Sequence, residues 1–549
     1  MTVKHIPVEN LVVAPCQDAC PAGIDVPRYI RAVGDGKYDE AVAVIREKIP
    51  FPVVCADACF APCEEICAYR QLGDPIAIRA LKRAAVDKGG EVWKKNKKVS
   101  AQTGKKAAIV GAGPAGLTCA YYLASKGHTV TLFDAFPQPG GMMRYGIPRY
   151  RVPEERLDKD ISEILELGID FAGNTVIGKD LQLDQLEADY DAVFLASGAN
   201  GSAKIPLQGA EKEGVIWGWD FLRDVRLGRP FEFNGDVIVI GGGNVAIDVA
   251  LTAKRMGAAH VHLFCLEERD EMPAHEWEIA RAEEEGVFIN TAWAPKKVLG
   301  DPKVEGMGFI RCTSVFDDAC NFNPIYDEDI SHKVLAPHII LAVGQDPDLN
   351  YLKSEEDIIA REGRIEVDTD TFATGKKSVF AGGDVVSGPQ SIISAIAHGR
   401  KAAVAMDKYL GGDGDIAEVL AAPQKKVRLP ELDRQVKSRN EMALRKAWER
   451  STGFDQVELG LTDAQIAAET ERCLNCDARQ FEVVLNSENC KECGYCAEVC
   501  GMQVFAPGDR FNLKGYRPEE VKSSEWCCGC FKCYFACPDF AIDIKEKTG

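Results

Sequence analysis

Apolar runs of strand length alternate with helical segments through the middle of the chain. The segment from Ala107, AAIVGAGPAGLTCAYYLASKG, predicts a strand, a glycine-rich turn and a helix, and TVTLF predicts the next strand. The order repeats from Asp236 in DVIVIGGGNVAIDVALTAKRMG and HVHLFCL. A third block, residues 336–404, contains HIILAVGQDPD and SVFAGGDVVSGPQSIISAIAHGRKAA. The pattern favours α/β domains, with two βαβ openings of the same kind.

The two ends of the chain have different patterns. The N-terminal part has helical patterns such as DVPRYIRAVGDGKYDEAVAVIREKI, and the Lys-rich stretch KKNKKVSAQTGKK separates it from the first strand. Residues from about 411 onwards are charged and lack strand signals, which predicts a helical linker. The last stretch, from Phe481, is short and rich in cysteine.

Composition and charge narrow the class of protein. The chain has 549 residues, enough for three or four domains, and a formal net charge of -19. This charge argues against nucleic acid as a partner, because affinity there depends on neutralised phosphates, and against a polybasic membrane anchor. We expect no secretory signal and no membrane span. The 21 cysteines fall mostly in closely spaced runs, which suits metal ligation in a reduced, cytoplasmic protein.

The first glycine-rich turn, GAGPAG, has the pattern of a dinucleotide site. Gly111 permits the tight turn, Gly113 lets a pyrophosphate approach the backbone, and Gly116 lets the helix pack on the strand. Asp134, at the end of the next strand, is placed to bond ribose hydroxyls. A GxGxxG pattern alone can be structural, but the strand, the helix and the acid together favour a nucleotide.

The second turn, GGGNVA, has Gly241 and Gly243 in corresponding positions. The strand after it ends in CLEERDEMPA, where Glu267 would bond a ribose 2′-hydroxyl and repel a 2′-phosphate. The alternative is that Glu267 is one solvated acid among several in this run. Two nucleotide sites of this kind suggest a flavin together with a nicotinamide.

Several segments together resemble a known family. GPAGL, PGGMMRYGIPRYRVP, VIGGGNVAIDVA, EMPA, VGQDPD and AGGDVVSGPQSIISAIAHGRKAA look like the small (β) subunit of glutamate synthase and its relatives. Those relatives include the N-terminal half of dihydropyrimidine dehydrogenase and the large subunit of bifurcating transhydrogenase. The likeness covers roughly residues 10–410. It implies an FAD domain in two parts with an NAD(P)H domain inserted between them.

The resemblance also implies which residues contact the cofactors. Those expected near FAD, besides the first turn, are Gly140, Gly141, Met142, Gly383, Asp384, Gln390 and Ser391. Among these, Asp384 would contact the ribityl chain or the pyrophosphate, and Gln390 and Ser391 would lie near the isoalloxazine. Those expected near the nicotinamide nucleotide, besides the second turn and Glu267, are Asn244, Val245 and Gly344.

One position departs from the family pattern. Members that use NADPH carry a Tyr-Arg-Arg run six residues before a Met-Pro pair, and the arginines hold the 2′-phosphate. Counting back from Met272, this chain has Cys265, Leu266 and Glu267 there. The missing arginines favour NADH.

Two cysteine runs near the C-terminus follow the spacing C-x2-C-x2-C-x3-C. They are Cys490, Cys493, Cys496 and Cys500, and then Cys527, Cys530, Cys533 and Cys537. In two-cluster ferredoxins the fourth cysteine of each run binds the other cluster. We therefore predict one [4Fe–4S] cluster on Cys490, Cys493, Cys496 and Cys537 and another on Cys500, Cys527, Cys530 and Cys533. A zinc site is the alternative, but zinc rarely uses eight thiolates in this arrangement.

Six more cysteines near the N-terminus would fill one cluster and leave two over. They are Cys16, Cys20, Cys55, Cys59, Cys63 and Cys67. The glutamate synthase relatives hold two clusters in this domain, with a first motif that reads Arg-Cys-x-x-Cys, a short spacer and Cys-x-x-x-Cys-Pro. Only the second half of that motif stands at this N-terminus. The sequence RCLNC, with Cys473 and Cys476, supplies the first half near the other end of the chain.

We therefore predict that Cys473 and Cys476 fold back onto the N-terminal domain. The expected sets are Cys16, Cys67, Cys473 and Cys476 for one cluster and Cys20, Cys55, Cys59 and Cys63 for the other. The alternative is that the CxxC pair is structural or binds a separate metal. Four cysteines stand alone and are expected to be buried apolar residues, namely Cys119, Cys265, Cys312 and Cys320.

The predicted fold is multidomain α/β with iron–sulfur modules at both ends. The predicted domains are a helical domain with two [4Fe–4S] clusters (1–90), an FAD-binding domain in two parts (105–235 and 346–410), an NAD(H)-binding domain (236–345), a helical linker (411–480) and a ferredoxin-like α+β domain (481–549). Both nucleotide-binding domains are expected to be Rossmann-like.

These features predict an iron–sulfur flavoprotein subunit that transfers electrons between NAD(H) and a partner. A nicotinamide gives two electrons as hydride, a cluster takes one at a time, and a flavin can do both. The partner would be another redox subunit or a ferredoxin-dependent enzyme in a hetero-oligomeric complex, and the appended ferredoxin module resembles the arrangement in flavoproteins linked to dissimilatory sulfite reductase. The alternatives are an electron-bifurcating subunit and a non-catalytic wiring scaffold.

Overall fold

A computed structural model describes residues 4–353, 355–429 and 435–547. Four predicted domains therefore include a few residues outside this description, at 1–3, 354, 430–434 and 548–549. The chain forms two compact units. The first unit comprises Met1–Lys98, Ala417–Ala443 and Gly460–Gly549, and the second comprises Val99–Ile416 and Leu444–Leu459.

The described part of the second unit contains two parallel five-stranded sheets, as the alternating pattern predicts. In the first sheet the spatial order of strands is Val379–Ala381, Ala192–Leu195, Lys106–Val110, Thr129–Phe133 and Asp170–Ala172. In the second it is Val287–Asn290, Val261–Phe264, Val237–Ile240, His338–Leu341 and Val215–Trp217. Residues 237–240 are all buried, because helices cover one face of this sheet and the strands Trp293–Leu299 and Gly306–Phe316 cover the other.

The chain order shows how the two sheets are related. All the strands of the second sheet lie between residues 215 and 341, after the first-sheet strand Ala192–Leu195 and before its strand Val379–Ala381. The second sheet is therefore an insertion in the first.

Helices pack on these sheets. In the second unit they are Pro114–Ser125, Met142–Tyr145, Glu154–Leu165, Leu183–Asp189, Gly218–Arg226, Asn244–Arg255, Glu276–Glu284, Asp384–Ser387, Ile392–Tyr409 and Ala447–Arg450. The long helix Ile392–Tyr409 crosses Pro114–Ser125 at very short range. A Cβ on Gly399 would lie 2.3 Å from the carbonyl oxygen of Ala115, so only glycine allows this contact.

An antiparallel sheet extends the inserted domain. Its strands are Trp293–Leu299, Gly306–Phe316 and Phe322–Leu335. Cys320 lies in the turn between the last two strands and is exposed, so the expectation of a buried cysteine is wrong there. Cys119, Cys265 and Cys312 are buried as expected. Two further two-stranded pairs are Gly201–Ser202 with Gln345–Asp346 and Ala360–Arg361 with Arg364–Ile365.

The described residues of the first unit form short helices and three small antiparallel strand pairs. Its helices are Pro15–Asp18, Val26–Gly34, Tyr38–Arg46, Pro52–Ala58, Pro62–Glu65, Ile78–Lys88, Asp463–Glu471, Tyr495–Glu498 and Lys532–Ala536. Its strand pairs are Lys4–Pro7 with Lys426–Leu429, Phe481–Leu485 with Ile542–Glu546, and Phe505–Pro507 with Glu519–Val521.

The segment predicted as a helical linker is mostly not helical. Its described residues contain the helices Ala447–Arg450 and Asp463–Glu471 and one strand, Lys426–Leu429. Much of the rest has no regular secondary structure, and side chains of the N-terminal domain hold it in place. The Glu47 carboxylate accepts hydrogen bonds from the backbone N–H groups of Leu420, at 3.1 Å, and Ala421, at 3.0 Å. The Arg439 guanidinium pairs with Glu64 at 2.7 Å and donates to the Pro75 carbonyl oxygen at 3.1 Å.

Within the described residues, no helix is both long enough and apolar enough to cross a lipid bilayer.

Candidate cofactor and iron–sulfur sites

The first glycine-rich turn lies between a buried strand and the start of a helix. Its glycines are needed for close packing, because a Cβ on Gly116 would lie 1.9 Å from the carbonyl oxygen of Gly111. The Asp134 carboxylate accepts hydrogen bonds from the backbone N–H groups of Ala112, at 2.6 Å, and Phe136, at 2.8 Å. Burial raises the pKa of Asp134, and these two donors oppose the shift. Asp134 therefore orients the turn itself.

Two later segments lie against this turn. The segment Gly140–Met142 approaches so closely that a Cβ on Gly141 would lie 2.7 Å from the Cα of Gly113. A Cβ on Gly383 would lie 3.0 Å from the Cβ of Ala115, one residue into the helix. The glycines that the resemblance places near FAD thus meet at one end of the first sheet.

Asp384 lies at the same edge of the sheet, because parallel strands bring their carboxyl ends together. Burial raises the pKa of its carboxyl group to about 6, and the backbone N–H of Gln390, 3.4 Å away, opposes the shift. Ser391 caps the helix Ile392–Tyr409, and its hydroxyl accepts a hydrogen bond from the Ser394 N–H at 3.2 Å. This edge supplies backbone donors, a carboxylate and close-packed glycines, which are the groups a dinucleotide needs.

The second glycine-rich turn carries a carboxylate directly above it. A Cβ on Gly242 would lie 2.6 Å from Oε2 of Glu267, whereas a Cβ on Gly243 would meet nothing within 4 Å. The turn is therefore open above Gly243, where a pyrophosphate would approach. Glu267 differs from Glu268, which is exposed and pairs with Arg311 at 2.8 Å.

Residues around this turn fix its shape. Asn244 Oδ1 accepts a hydrogen bond from the His275 N–H at 2.9 Å, and the Ala274 N–H donates to the Gly242 carbonyl oxygen at 3.1 Å. Val245 is 36% exposed at the start of the helix. The Gly344 carbonyl oxygen accepts from the Ala203 N–H at 3.0 Å, in the connection that follows the strand His338–Leu341.

Two N-terminal cysteines meet the pair from the other end of the chain. One cavity of the first unit is lined by Cys16, Cys67, Cys473 and Cys476 together with apolar side chains. Burial raises the pKa of the Cys16 thiol, and the other three sulfurs raise it further. Burial likewise raises the pKa of Cys473 to about 12. An all-sulfur donor set in a cavity with an apolar lining fits an iron–sulfur cluster, because metal binding displaces the thiol protons.

Buried ion pairs hold the RCLNC loop in this position. Arg31, on the helix Val26–Gly34, binds both carboxylate oxygens of Asp477 at 2.7 Å. Arg472 is 2% exposed and donates to the carbonyl oxygen of Pro75 at 3.3 Å. These contacts draw the residues on both sides of the CxxC pair onto the N-terminal helices.

The second N-terminal set surrounds a lysine that the sequence patterns do not single out. Lys82 lies on the helix Ile78–Lys88 and is 4% exposed. Burial works to lower its pKa, but the four facing thiolates outweigh burial and raise the pKa above the usual lysine value. They are those of Cys59, Cys55, Cys63 and Cys20. A buried cation in this place would offset the negative charge of a thiolate-bound cluster.

The C-terminal cysteines form two further sets. A second cavity is lined by Cys490, Cys493, Cys496 and Cys537, with Glu519 and Asp539 among the other lining residues. The other set is recognised by its electrostatics. Burial raises the pKa of the Cys533 thiol to about 12, and the charges of Cys500, Cys527 and Cys530 also raise it. The four groups of cysteines described above have the same members as the four sets expected from spacing and resemblance. That each group binds a cluster stays a prediction.

Cys528, which belongs to no run, lies between two of these sets. It is buried, and its thiol donates to Cys530, which lowers the pKa of Cys530 below the usual cysteine value. The charge of Cys476 also acts on Cys528. The spacing of the cysteines in the sequence does not predict these contacts, because Cys528 lies outside the C-x2-C-x2-C-x3-C pattern. The contact brings a C-terminal set close to an N-terminal one within the first unit.

Sites for single metal ions are not found. Among the residues that the structure describes, no three cysteine, histidine or acidic side chains converge closely enough to bind one ion. Four thiolates around a cubane stay further apart than those around one tetrahedral ion, because each binds a different iron.

Comparison with known proteins gives the class and then the family. Residues 105–399 match the family model for pyridine nucleotide-disulphide oxidoreductases, and residues 11–93 match that for dihydropyrimidine dehydrogenase domain II, 4Fe-4S cluster. The chain is an iron–sulfur flavoprotein oxidoreductase subunit of the NAD(P)H-dependent kind. It belongs to the pyridine nucleotide-disulphide oxidoreductase family.

Three relatives are informative. The β subunit of NADP(+)-dependent formate dehydrogenase from Moorella thermoacetica is 37% identical over 85% of this chain and 71% of its own length. The small chain of glutamate synthase [NADPH] from Escherichia coli is 33% identical over 72% and 88%. The PreT subunit of NAD-dependent dihydropyrimidine dehydrogenase from Salmonella typhimurium is 33% identical over 72% and 91%. They confirm the resemblance to the glutamate synthase small subunit.

The charge of Lys82 leads to a first prediction. We expect Lys82→Met to make the reduction potential of the cluster beside it more negative, because the reduced cluster loses a nearby cation. Each ~1.4 kcal/mol of lost stabilisation corresponds to ~59 mV for a one-electron couple. A redox titration followed by electron paramagnetic resonance measures the shift. Lys88→Met is the matched control, since Lys88 lies on the same helix but pairs with Asp463 at the surface. Unchanged potentials in Lys82→Met, with iron content retained, would contradict this role.

Proposed function

We propose that the chain passes electrons between NADH and a redox partner subunit, using FAD and four [4Fe–4S] clusters. The observation that carries the proposal is the presence of four sets of four cysteines in the first unit. Each set has the number of thiolates that one cubane requires. Relatives that are named as subunits of larger enzymes support a partner subunit.

The predicted domains give each part of the chain a role. Residues 1–90 and the RCLNC loop would hold two clusters, and residues 481–549 would form a ferredoxin-like domain with two more. The pairing of Phe481–Leu485 with Ile542–Glu546 closes the ends of this last domain and supports its boundaries. Residues 105–235 and 346–410 would bind FAD, and 236–345 would bind the nicotinamide nucleotide.

The protein residues bind and orient, and the cofactors supply the electron chemistry. When bound, FAD provides the exchange between hydride and single-electron transfer. The first turn and Asp384 would hold the flavin nucleotide. The position of Cys528 between Cys476 and Cys530 supports an order in which the N-terminal clusters exchange electrons with the C-terminal pair.

Glu267 favours NADH as the nicotinamide. Its carboxylate lies above Gly242, where it would accept a hydrogen bond from a ribose 2′-hydroxyl and repel a 2′-phosphate. The cations of this neighbourhood are already bound by acids, since Arg269 pairs with Glu276 at 2.7 Å and Arg311 with Glu268. Relatives include both NADP- and NAD-dependent enzymes, so this carboxylate is the feature that decides our choice.

Reduction of the flavin tests the function. The full chain, purified without oxygen and loaded with flavin and iron, should lose its flavin absorbance when NADH is added. Cluster signals in electron paramagnetic resonance should follow, because the clusters accept single electrons. Flavin absorbance that does not change with either NADH or NADPH would favour a wiring scaffold and contradict the proposal.

Nucleotide preference tests Glu267. We expect kcat/KM for NADH to exceed that for NADPH by about tenfold or more, equivalent to ~1.4 kcal/mol. Glu267→Gln should reduce this preference, because the repulsive charge is removed. Asp270→Asn, at an exposed acid three residues further on, should leave it unchanged. A wild-type preference for NADPH would show that the assignment to NADH is wrong.

Iron content tests the fold-back of the CxxC pair. The full chain should carry about sixteen irons, four for each of four clusters. The double variant Cys473→Ala with Cys476→Ala should lose about four irons, because one cluster loses half its ligands. Cys528→Ala should keep the full number, since Cys528 belongs to none of the four sets. Equal iron in the double variant and the wild type would rule out ligation by this pair.

A further inference from the structure

A cavity in the second unit lies outside both glycine-rich turns. Its volume is about 320 Å³, at the lower end of the range for small-molecule sites. Its apolar lining comes from Pro148, Leu222, Val225, Met256, Phe231 and Phe454. A cavity of ~150 Å³ already holds benzene, so this one has room for an aromatic ring with substituents.

Two buried polar groups in the lining have no hydrogen-bond partner for some of their atoms. Arg226 is 7% exposed overall and 3% in its side chain, and neither Nη1 nor Nη2 makes a hydrogen bond. Its closest carboxylate contact is with Glu154, whose Oε1 is 3.9 Å from Nη1. Thr252 is 1% exposed, and its hydroxyl is also without a partner. Leaving such groups unpaired in the interior is unfavourable, and more so for a charge than for a hydroxyl.

The charges around the cavity favour an anion. Arg149, Arg226 and Arg229 line it, against one lining acid, the exposed Glu232. Arg149 is paired with Glu154 at 3.0 Å and Arg229 with Asp224 at 2.8 Å, which leaves Arg226 with donors to offer. Burial, with Arg149 and Arg144 nearby, lowers the pKa of Arg226 to about 10 despite the opposing charge of Glu154. A negative charge placed here would relieve both the burial cost and the repulsion.

The position of the cavity separates it from the nicotinamide turn. The helix Asn244–Arg255 begins at that turn, and Thr252 lies eight residues along it. At a rise of about 1.5 Å per residue, Thr252 is about 12 Å from the turn. On its other side the cavity reaches Gly146, which packs against Met142 of the segment expected near FAD.

We propose that this cavity binds a small organic anion with an apolar, ring-sized body, whose charged group is held by Arg226 and Thr252. A guanidinium has only donors and matches a carboxylate or phosphate group, and the threonine hydroxyl adds a further donor. The site is independent of the proposed electron transfer, since none of its residues belongs to a glycine-rich turn or a cysteine set.

Calorimetric titration of the full, flavin-loaded chain tests this site. The probes are benzoate, phenyl phosphate, benzamide as the neutral analogue and inorganic phosphate. We expect one saturable site for benzoate or phenyl phosphate, at least tenfold tighter than for benzamide or inorganic phosphate and unchanged by saturating NAD⁺. The tighter of the two anions identifies the headgroup. Benzamide binding as tightly as benzoate, competition by NAD⁺, or no saturable binding would overturn the proposal.

Three variants assign the binding to its residues. Arg226→Gln should weaken anion binding at least tenfold, and Thr252→Val, which keeps the side-chain shape, should weaken it about threefold or more. Arg223→Gln is the control, because Arg223 lies on the same helix but pairs with Asp220 and Asp224 outside the cavity. Retained flavin absorbance shows that each variant is folded. If Arg226→Gln fails to fold, Thr252→Val still tests the proposal. Unchanged anion binding in Thr252→Val would contradict binding at this cavity.

Discussion

The ion pair between Arg31 and Asp477 is the contact on which the organisation of the first unit depends. It joins an N-terminal helix to the loop that carries Cys473 and Cys476, and both side chains are mostly buried. Breaking a buried pair by removing one partner leaves an uncompensated charge, which costs about 3–5 kcal/mol. The pair therefore fixes one arrangement of residues that are far apart in sequence. Arg472, beside the same loop, adds a second buried charge with its own partners.

Compensation of buried charge also explains why a lysine lies in the interior beside the cysteines. Burial raises the pKa of several of these thiols, among them Cys16 and Cys476, so they hold their protons until a metal replaces them. A cluster bound by four thiolates then leaves net negative charge in a dry interior. Lys82 lies inside one such set, where its cost of burial is offset by the sulfurs that face it. The buried lysine and the thiolates around it thus compensate each other's charge.

In the second unit, backbone geometry rather than charge compensation determines how the candidate sites are built. Its two sheets are parallel, so each brings the carboxyl ends of its strands to one edge, and a glycine-rich turn lies at each of these edges. Asp134 and Glu267, which follow the strands Thr129–Phe133 and Val261–Phe264, do different things. Asp134 is bonded to the backbone of its own turn, whereas the Glu267 carboxylate stands above Gly242. One topology thus places a carboxylate beside each glycine-rich turn in two different arrangements.

The sequence alone determined the α/β class, the two glycine-rich turns and the cysteine runs, because each depends on local spacing or on strand and helix periodicity. It could not determine the largely non-helical course of 411–480, since the groups that satisfy that backbone, such as the Glu47 carboxylate at Leu420 and Ala421, come from elsewhere in the chain. Nor could it find Lys82 or the unpaired donors of Arg226. A lysine or arginine in an amphipathic helix gives the same local signal whether its partner is water, a thiolate or a cavity. Only tertiary packing, which decides what is desolvated and beside which charge, gave these residues their roles.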